Sequence, residues 1–168
     1  YTFVIASSGV VAEKTGAAME AYNRASRLAA LAAQVWREAT GRDDPHLAAA
    51  IASCSGDTAE VRRVLGAAPL AGLDVKHAEL LVRFDHFCRE NEEIQPAAIA
   101  ALQLGDMTAF GQAVQESQRA AEDLLGNQIA ETKFLAAQAR QLGALAASAF
   151  GAGFGGSVWA LVERPHAD

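Results

Sequence analysis

The residues of this chain best suited to chemistry lie near its end. Gly151, Gly153, Gly155 and Gly156 fall within six positions, in the run Gly151-Ala152-Gly153-Phe154-Gly155-Gly156-Ser157. Glycine loses more conformational freedom on ordering than any other residue. A cluster this dense therefore predicts positive φ angles or close approach of backbone to a ligand. Successive N–H groups in such a loop can also form a concave anion site. The flanking residues favour strands: Ala147-Ser148-Ala149 before the loop, and Val158-Trp159-Ala160-Leu161-Val162 after it. Gly151-x-Gly153-x-x-Gly156 fits a dinucleotide-binding fingerprint on paper. That fingerprint needs a helix after the loop and an acidic residue about 20 positions on, whereas a strand follows here. Two readings of the loop stay open on these residues. It is a tight hairpin whose glycines serve only the turn, or it also approaches a ligand.

Other reactive side chains form no comparable constellation. His46, His77, His86 and His166 are isolated, with no second histidine or cysteine at helical ligand spacing, so no metal site is expected. His86 sits beside Phe84 and Phe87 and is expected to be structural. Glu90, Glu92 and Glu93 form a charge cluster expected on a solvated helix face, with acid–base work as the alternative. Ser7-Ser8-Gly9 has no recognisable partner base. Trp36 and Trp159 are expected in a core or an interface.

Composition bounds the rest. A chain of 168 residues suits a single domain with a proper core, and 51% of it is hydrophobic, though much of that is alanine, which favours helices and packs thinly. The net charge of −6 argues against a nucleic-acid or anionic-membrane surface. No apolar run is long enough to span a bilayer, and no signal peptide is visible. Cys54 and Cys88 lack CxxC partners, which points to a reduced, cytoplasmic protein with buried thiols. The chain starts at Tyr1, inside an apolar strand, and is expected to be a fragment.

The positioning elements follow from periodicity and punctuation. A strand is predicted over residues 2–7 and a polar connection over 8–15. A helix is predicted over 16–40, with Ala21, Ala25, Leu28, Leu31 and Val35 on one face and Gly41 as its stop. Asp44-Pro45 predicts an N-cap and first helical position for a helix running to about Cys54. Asp57 and Glu60 form a capping-box pattern for a short helix ending near Gly66. Residues 75–104 are the longest helical pattern. Leu80, Leu81, Phe84, Phe87 and Ile94 are on its buried face, Arg83, Asp85, Arg89, Glu90 and Glu92 are mostly solvated, and Pro96 should kink or split it. Gly105-Asp106 and Gly126-Asn127 are each a stop followed by a cap. They frame helices over 107–124 and 128–142, the latter ended by Gly143.

These elements carry a resemblance. Phe3-Val4-Ile5-Ala6-Ser7-Ser8, Tyr22-Asn23-Arg24, Arg27-Leu28-Ala29-Ala30, Arg83-Phe84-x-His86-x-x-x-Glu90, Ala101-Leu102, Gly105-Asp106, Phe110-Gly111 and Glu116-Ser117 occur in the order and spacing of galactokinases. The series ends in G-A-G-F-G-G-S-V-W-A-L-V, which resembles the C-terminal glycine motif of the GHMP sugar and metabolite kinases. The resemblance implies an α+β C-terminal domain: an antiparallel sheet backed by several helices, with a ferredoxin-like core. It implies an ATP- and Mg2+-dependent kinase that phosphorylates a sugar hydroxyl, the anomeric one in galactokinases. The phosphate-binding loop and catalytic aspartate would lie in an N-terminal half outside this chain. Gly151, Gly153, Phe154, Gly155, Gly156 and Ser157 would then support substrate and the phosphate loop, and no catalytic residue is expected in this chain.

Departures stand at Ser148, where galactokinases usually carry a basic residue, and at Phe150, where they carry threonine. Glu116-Ser117-Gln118 replaces E-S-H, and Leu125 and Ala130 replace a tyrosine and a proline. They leave the sugar open. A non-catalytic, kinase-like domain that binds sugar or a protein partner is the alternative function. Cut from its other half, the chain is expected to self-associate.

Overall fold

The computed structural model describes residues 1–11, 17–151 and 153–166, with backbone only at residues 17–19, 21, 22 and 166. The end of the expected polar connection, the helix start at Gly16 and Ala152 lie outside the described residues. So do the side chains of Ala21, Tyr22 and His166. The chain divides into two compact units, one of Tyr1–Tyr22 with Arg89–Asp168 and one of Asn23–Cys88.

The unit Asn23–Cys88 is helical. It holds most of α1 (Ala17–Thr40), then α2 (Leu47–Ser53), α3 (Thr58–Ala67) and α4 (His77–Cys88). Gly41 ends α1 with φ +70° and donates to Arg37 O at 2.8 Å, as its position predicted. Trp36, Val35, Val61, Leu65, Leu80 and Phe84 are fully buried and make the core, and Cys54 and Cys88 pack half-buried against it.

The cap of α2 differs from expectation. It is His46, whose Nδ1 accepts from Ala49 N at 3.1 Å. Asp44 is engaged elsewhere: its Oδ2 accepts from Trp36 Nε1 at 2.7 Å and from Ser53 Oγ at 2.8 Å. The Trp36 hydrogen bond is the main reason its carboxyl titrates below the ordinary range. Asp57 does cap α3, accepting from Glu60 N at 3.1 Å. The reciprocal half of the box is not made, because Glu60 pairs with Arg63 at 2.8 Å.

The face of the long helical stretch expected to be solvated is partly exposed and carries specific pairs. Asp85 accepts a bidentate fork from Arg62 at 2.8 and 3.0 Å, tying α4 to α3. Arg83 Nε donates to Ala25 O at 3.1 Å. Its Nη1 lies 3.4 Å from Nδ1 of the buried His86. Burial first, and then the Arg83 charge, push His86 down from 6.5 to about 4.

The second unit is the α+β one. Its sheet has the order β1-β3-β2, all antiparallel, with β1 (Thr2–Ser7), β2 (Ala146–Ala149) and β3 (Ser157–Val162). Thr2 pairs with Val162, Ser7 with Ser157, Ala146 with Leu161 and Ala149 with Val158. Period-two alternation gives β2 and β3 two buried faces. Ala147, Val158, Ala160 and Val162 pack with Ala136 of α7 (Ala130–Gln141). Ala146 and Leu161 pack with Val114 of α6 (Met107–Ala120). The outer strand β1 leaves Phe3 63% and Ile5 55% exposed, with Phe3 edge-on to Trp159 at 5.7 Å.

The long helical pattern is split just before Pro96, as expected. A π-helical segment covers Arg89–Ile94, and α5 (Gln95–Leu104) begins behind it. Pro96 thus stands in the first turn of α5, where a missing N–H breaks no α-helical bond. Glu92 and Glu93 are exposed as expected, whereas the half-buried Glu90 accepts from Ser117 Oγ at 2.7 Å, beside an Arg89–Glu116 ion pair. Gly105 and Asp106 stop and cap as predicted, Asp106 accepting from Ala109 N at 2.9 Å. A second π segment, Ala121–Leu125, follows α6 and ends at Gly126, φ +65°. Asn127 does not cap α7; Ile129 holds the cap position without a side-chain bond. Ile129 N–H turns instead to Gly153 O at 3.4 Å. Among the described residues no helix is long and apolar enough to cross a membrane.

A very close backbone approach in this unit is at Gly111 of α6. A Cβ there would lie 1.8 Å from Leu145 O and 2.9 Å from Leu145 C. Leu145 N–H is itself held to Leu161 O at 2.8 Å, so that backbone cannot yield. Gly111→Ala would gain about 1 kcal/mol of helix propensity. The overpacking outweighs this, and a net loss on the order of 2 kcal/mol is expected. Gly66→Ala is the contrast, since its Cβ would meet only the Leu81 side chain, at 3.7 and 4.0 Å. It should stabilise by about 0.5–1 kcal/mol. Denaturant melts of the two variants check the pair. His86 gives a pH test. The unfolded chain binds a proton at 6.5 and the folded one at about 4, so stability should fall as pH drops through that window. His86→Gln should flatten that part of the stability–pH curve.

Candidate functional site

The glycine loop joins β2 to β3, as its flanking residues predicted. Phe150 N–H donates to Ser157 O at 2.9 Å and closes the hairpin, and Ser157 opens β3 opposite Ser7. Gly151, Gly153, Gly155 and Gly156 have φ of +60°, +77°, +132° and +81°. All four therefore sit where a side chain is strained, and the turn alone requires four glycines. Gly153 and Gly155 are buried, Phe154 and Gly156 are half-buried, and Gly151 is exposed.

Close approach is a second requirement, but only at Gly153 among the loop glycines whose surroundings are described. A Cβ at Gly151 would meet nothing within 4 Å. A Cβ at Gly153 would lie 2.2 Å from Gln128 Nε2 and 2.5 Å from Asn127 O. The neighbour at Gly153 is therefore the chain itself, in the segment that leads into α7. Gly153 O accepts from Ile129 N–H at 3.4 Å and lies 3.3 Å from Thr132 Oγ1. On the other side Gly156 N–H donates to Val10 O at 2.8 Å and Gly156 O accepts from Ser8 N–H at 2.8 Å. Gly153 N–H points to Phe150 O at 3.4 Å. The amides of Gly153 and Gly156 are thereby removed from any anion-binding role.

A buried polar chain backs the loop. Gln118 on α6 is 5% exposed. Its Oε1 accepts from Ser148 Oγ at 2.8 Å and from Ala149 N–H at 3.0 Å. Its Nε2 donates to Glu122 Oε1 at 2.9 Å and Gln128 Oε1 at 3.3 Å. Thr132 Oγ1, fully buried, lies 3.1 Å from Gln128 Oε1 and 3.0 Å from Ile129 O. Reasoning from sequence treated Gln118 only as a departure and passed over Gln128 and Thr132. The available signal was an amide interrupting the Gly111–Val114 face of an amphipathic helix.

Ser7 and Ser8 line one wall of an open cavity of about 340 Å³, and Ala130, Glu131, Phe134 and Leu135 line the other. Ser7 Oγ accepts from Gly9 N–H and Ser8 Oγ from Val10 N–H, so both hydroxyls serve the local turn. The histidines are dispersed: His46 caps α2, His77 Nε2 donates to Ala68 O at 2.8 Å, and His86 is buried beside Arg83. Among the described residues no three His, Cys, Asp or Glu side chains converge where they could hold a metal ion.

Three comparisons bear on this arrangement. Residues 98–168, which include α6, α7, the loop and both of its strands, match the family model for the C terminal of GHMP kinases. Among the matching solved structures is Lactococcus lactis galactokinase complexed with galactose, with a TM-score of 0.65 and 26% identity. The match covers 95% of this chain and 37% of that one, so the chain spans little more than a third of that galactokinase's length. No curated protein sequence matches.

The two demands on the loop separate experimentally. Gly151→Ala should suffer only the left-handed backbone, about 1–2 kcal/mol. Gly153→Ala suffers the same strain and also collides with the fixed Asn127 carbonyl, so it should lose at least about 1 kcal/mol more. Thermal melts of both, with Gln128→Ala added to Gly153→Ala, check this. The added change should not restore stability, because the Asn127 carbonyl is backbone.

Proposed function

We propose that this chain, which carries a GHMP kinase C-terminal domain, is the C-terminal half of an ATP-dependent sugar kinase. The complete protein transfers the γ-phosphoryl group to a hexose hydroxyl, the anomeric one. The observation that carries the proposal is the glycine loop. It stands in the segment that matches the GHMP kinase family and is anchored on both sides by backbone of its own unit. The likeness to a galactokinase solved with galactose supports a sugar as acceptor. A loop held this rigidly suits phosphoryl transfer, in which catalysis is mostly positioning and electrostatics.

Mg2+ and the nucleotide are assigned mainly to the remainder of the complete protein, as the resemblance implies. The role given to Gly151, Gly153, Phe154, Gly155, Gly156 and Ser157 is to support that remainder and the bound substrate. The reading also places the protein in the cytoplasm, without nucleic-acid or membrane partners. A second reading rests on the departures at Ser148 and at Phe150, which is 49% exposed at the loop's entrance. There the domain binds sugar or a protein partner without transferring phosphate.

One assay separates these. The complete protein, given ATP, Mg2+ and a panel of hexoses, should release ADP in a sugar-dependent way. Sugar binding by calorimetry without such release would favour the second reading. The present chain alone should release none. Its exposed Phe3 and Ile5 on the outer strand should make it associate into dimers or larger species by light scattering.

A further inference from the structure

We propose that Gln118 is the positioning residue of the glycine loop, holding its entrance and its middle at once from a buried site on α6. The entrance is held through Oε1. The strand order β1-β3-β2 leaves β2 with an open edge. Ala149 is the last residue of β2, and its N–H finds Gln118 Oε1 at 3.0 Å in place of a further strand. Ser148 Oγ donates to the same oxygen at 2.8 Å. The middle is held through Nε2, which donates to Gln128 Oε1 at 3.3 Å. The Gln128 amide in turn lies against the bare Cα of Gly153, where a Cβ would come within 2.2 Å of it.

The valence of the side chain is filled. A primary amide offers two protons and two lone pairs. Gln118 places its protons on Glu122 and Gln128 and receives donors from Ser148 and Ala149. A half-filled amide at 5% exposure would destabilise the fold, whereas a filled one can specify a geometry. The geometry specified here is the span from Ala149 to Gly153. Fixing both ends of that span with one rigid planar group restricts the intervening turn more than two independent bonds would. Glu122 is the titratable group that faces the amide, and it sits at the end remote from Ser148.

The test compares three variants of the complete protein by amide hydrogen exchange. Gln118→Met keeps length and helix propensity and removes all four bonds. Exchange at Ala149 and at Gly153 to Gly156 should quicken by about tenfold, the factor for roughly one or two lost hydrogen bonds. The paired amides of β1 and β3 should stay within about twofold. Ser148→Ala should quicken only the entrance, and Gln128→Ala only the Gly153 side. Uniform quickening through β1 and β3 in Gln118→Met, or none at the loop, would overturn the proposal. If Gln118→Met does not fold, the two end-specific variants decide, and unchanged exchange at both anchors overturns it. A kinetic arm rests on the sugar-kinase reading: kcat should fall while KM for the sugar holds. The exchange arm does not depend on that reading, so an inactive protein leaves it standing.

Discussion

The α+β unit depends on how closely α6 lies on the start of β2. Gly111 has no Cβ, and the Leu145 carbonyl occupies that space. The carbonyl is fixed from a second direction by Arg140 Nη1, which also reaches Ala144 O at 3.0 Å. One turn further along α6, Val114 meets Ala146 and Leu161. A further turn brings Gln118 within 3.0 Å of Ala149 N–H. A methyl group at position 111 would lift the helix off the strand by more than a hydrogen bond tolerates. The apolar contact at Val114 and the polar one at Gln118 thus share a single steric condition. Helix face, strand edge and loop entrance are set together, which is why a residue far from the loop in sequence can govern it.

The loop itself combines two demands that usually occur apart. Its turn needs left-handed backbone at four positions, and its middle needs a surface without side chains against Gln128 and Asn127. The same glycines that permit the turn raise the entropy of the unfolded chain, so the loop would be loose without other restraints. The restraints are the Val10 and Ser8 bonds on one flank and the Ile129, Thr132 and Gln118 contacts on the other. α7 contributes directly. Its cap residue, Ile129, has no side-chain acceptor for the first turn, and its N–H serves Gly153 O at 3.4 Å.

What the sequence made legible is what local forces decide. Gly41, Gly105 and Gly126 stop helices because only glycine adopts their φ cheaply. Asp57 and Asp106 cap because their partners are three residues away. The strands and loop of the hairpin were legible from β-branched residues around glycines, and the fold class came through the resemblance. The misreadings share a cause. Asp44 was drawn away by Trp36 and Ser53, and Asn127 Oδ1 accepts from Gln128 Nε2 at 3.3 Å. In both cases another side chain, not the backbone of the helix start, took the oxygen. The division at Cys88 and Arg89 was invisible for a related reason: helical periodicity continues across it with no linker composition to mark it.

The departures from the galactokinase pattern take on a physical meaning in this arrangement. Position 148 usually carries a basic residue in that family, and position 118 is the histidine of its E-S-H. Here Ser148 and Gln118 bond each other at 2.8 Å in a site where the glutamine is almost completely buried. A charge left at position 118 without a partner would be expensive there. A neutral hydroxyl and a neutral amide satisfy each other instead, with Ala149 N–H and Gln128 Oε1 completing the set. The two departures thus stand in direct contact with each other. The partners of the Gln118 amide are then neutral groups apart from Glu122. The loop's position becomes a matter of hydrogen-bond geometry, and the residues that fix it lie behind the glycines rather than among them.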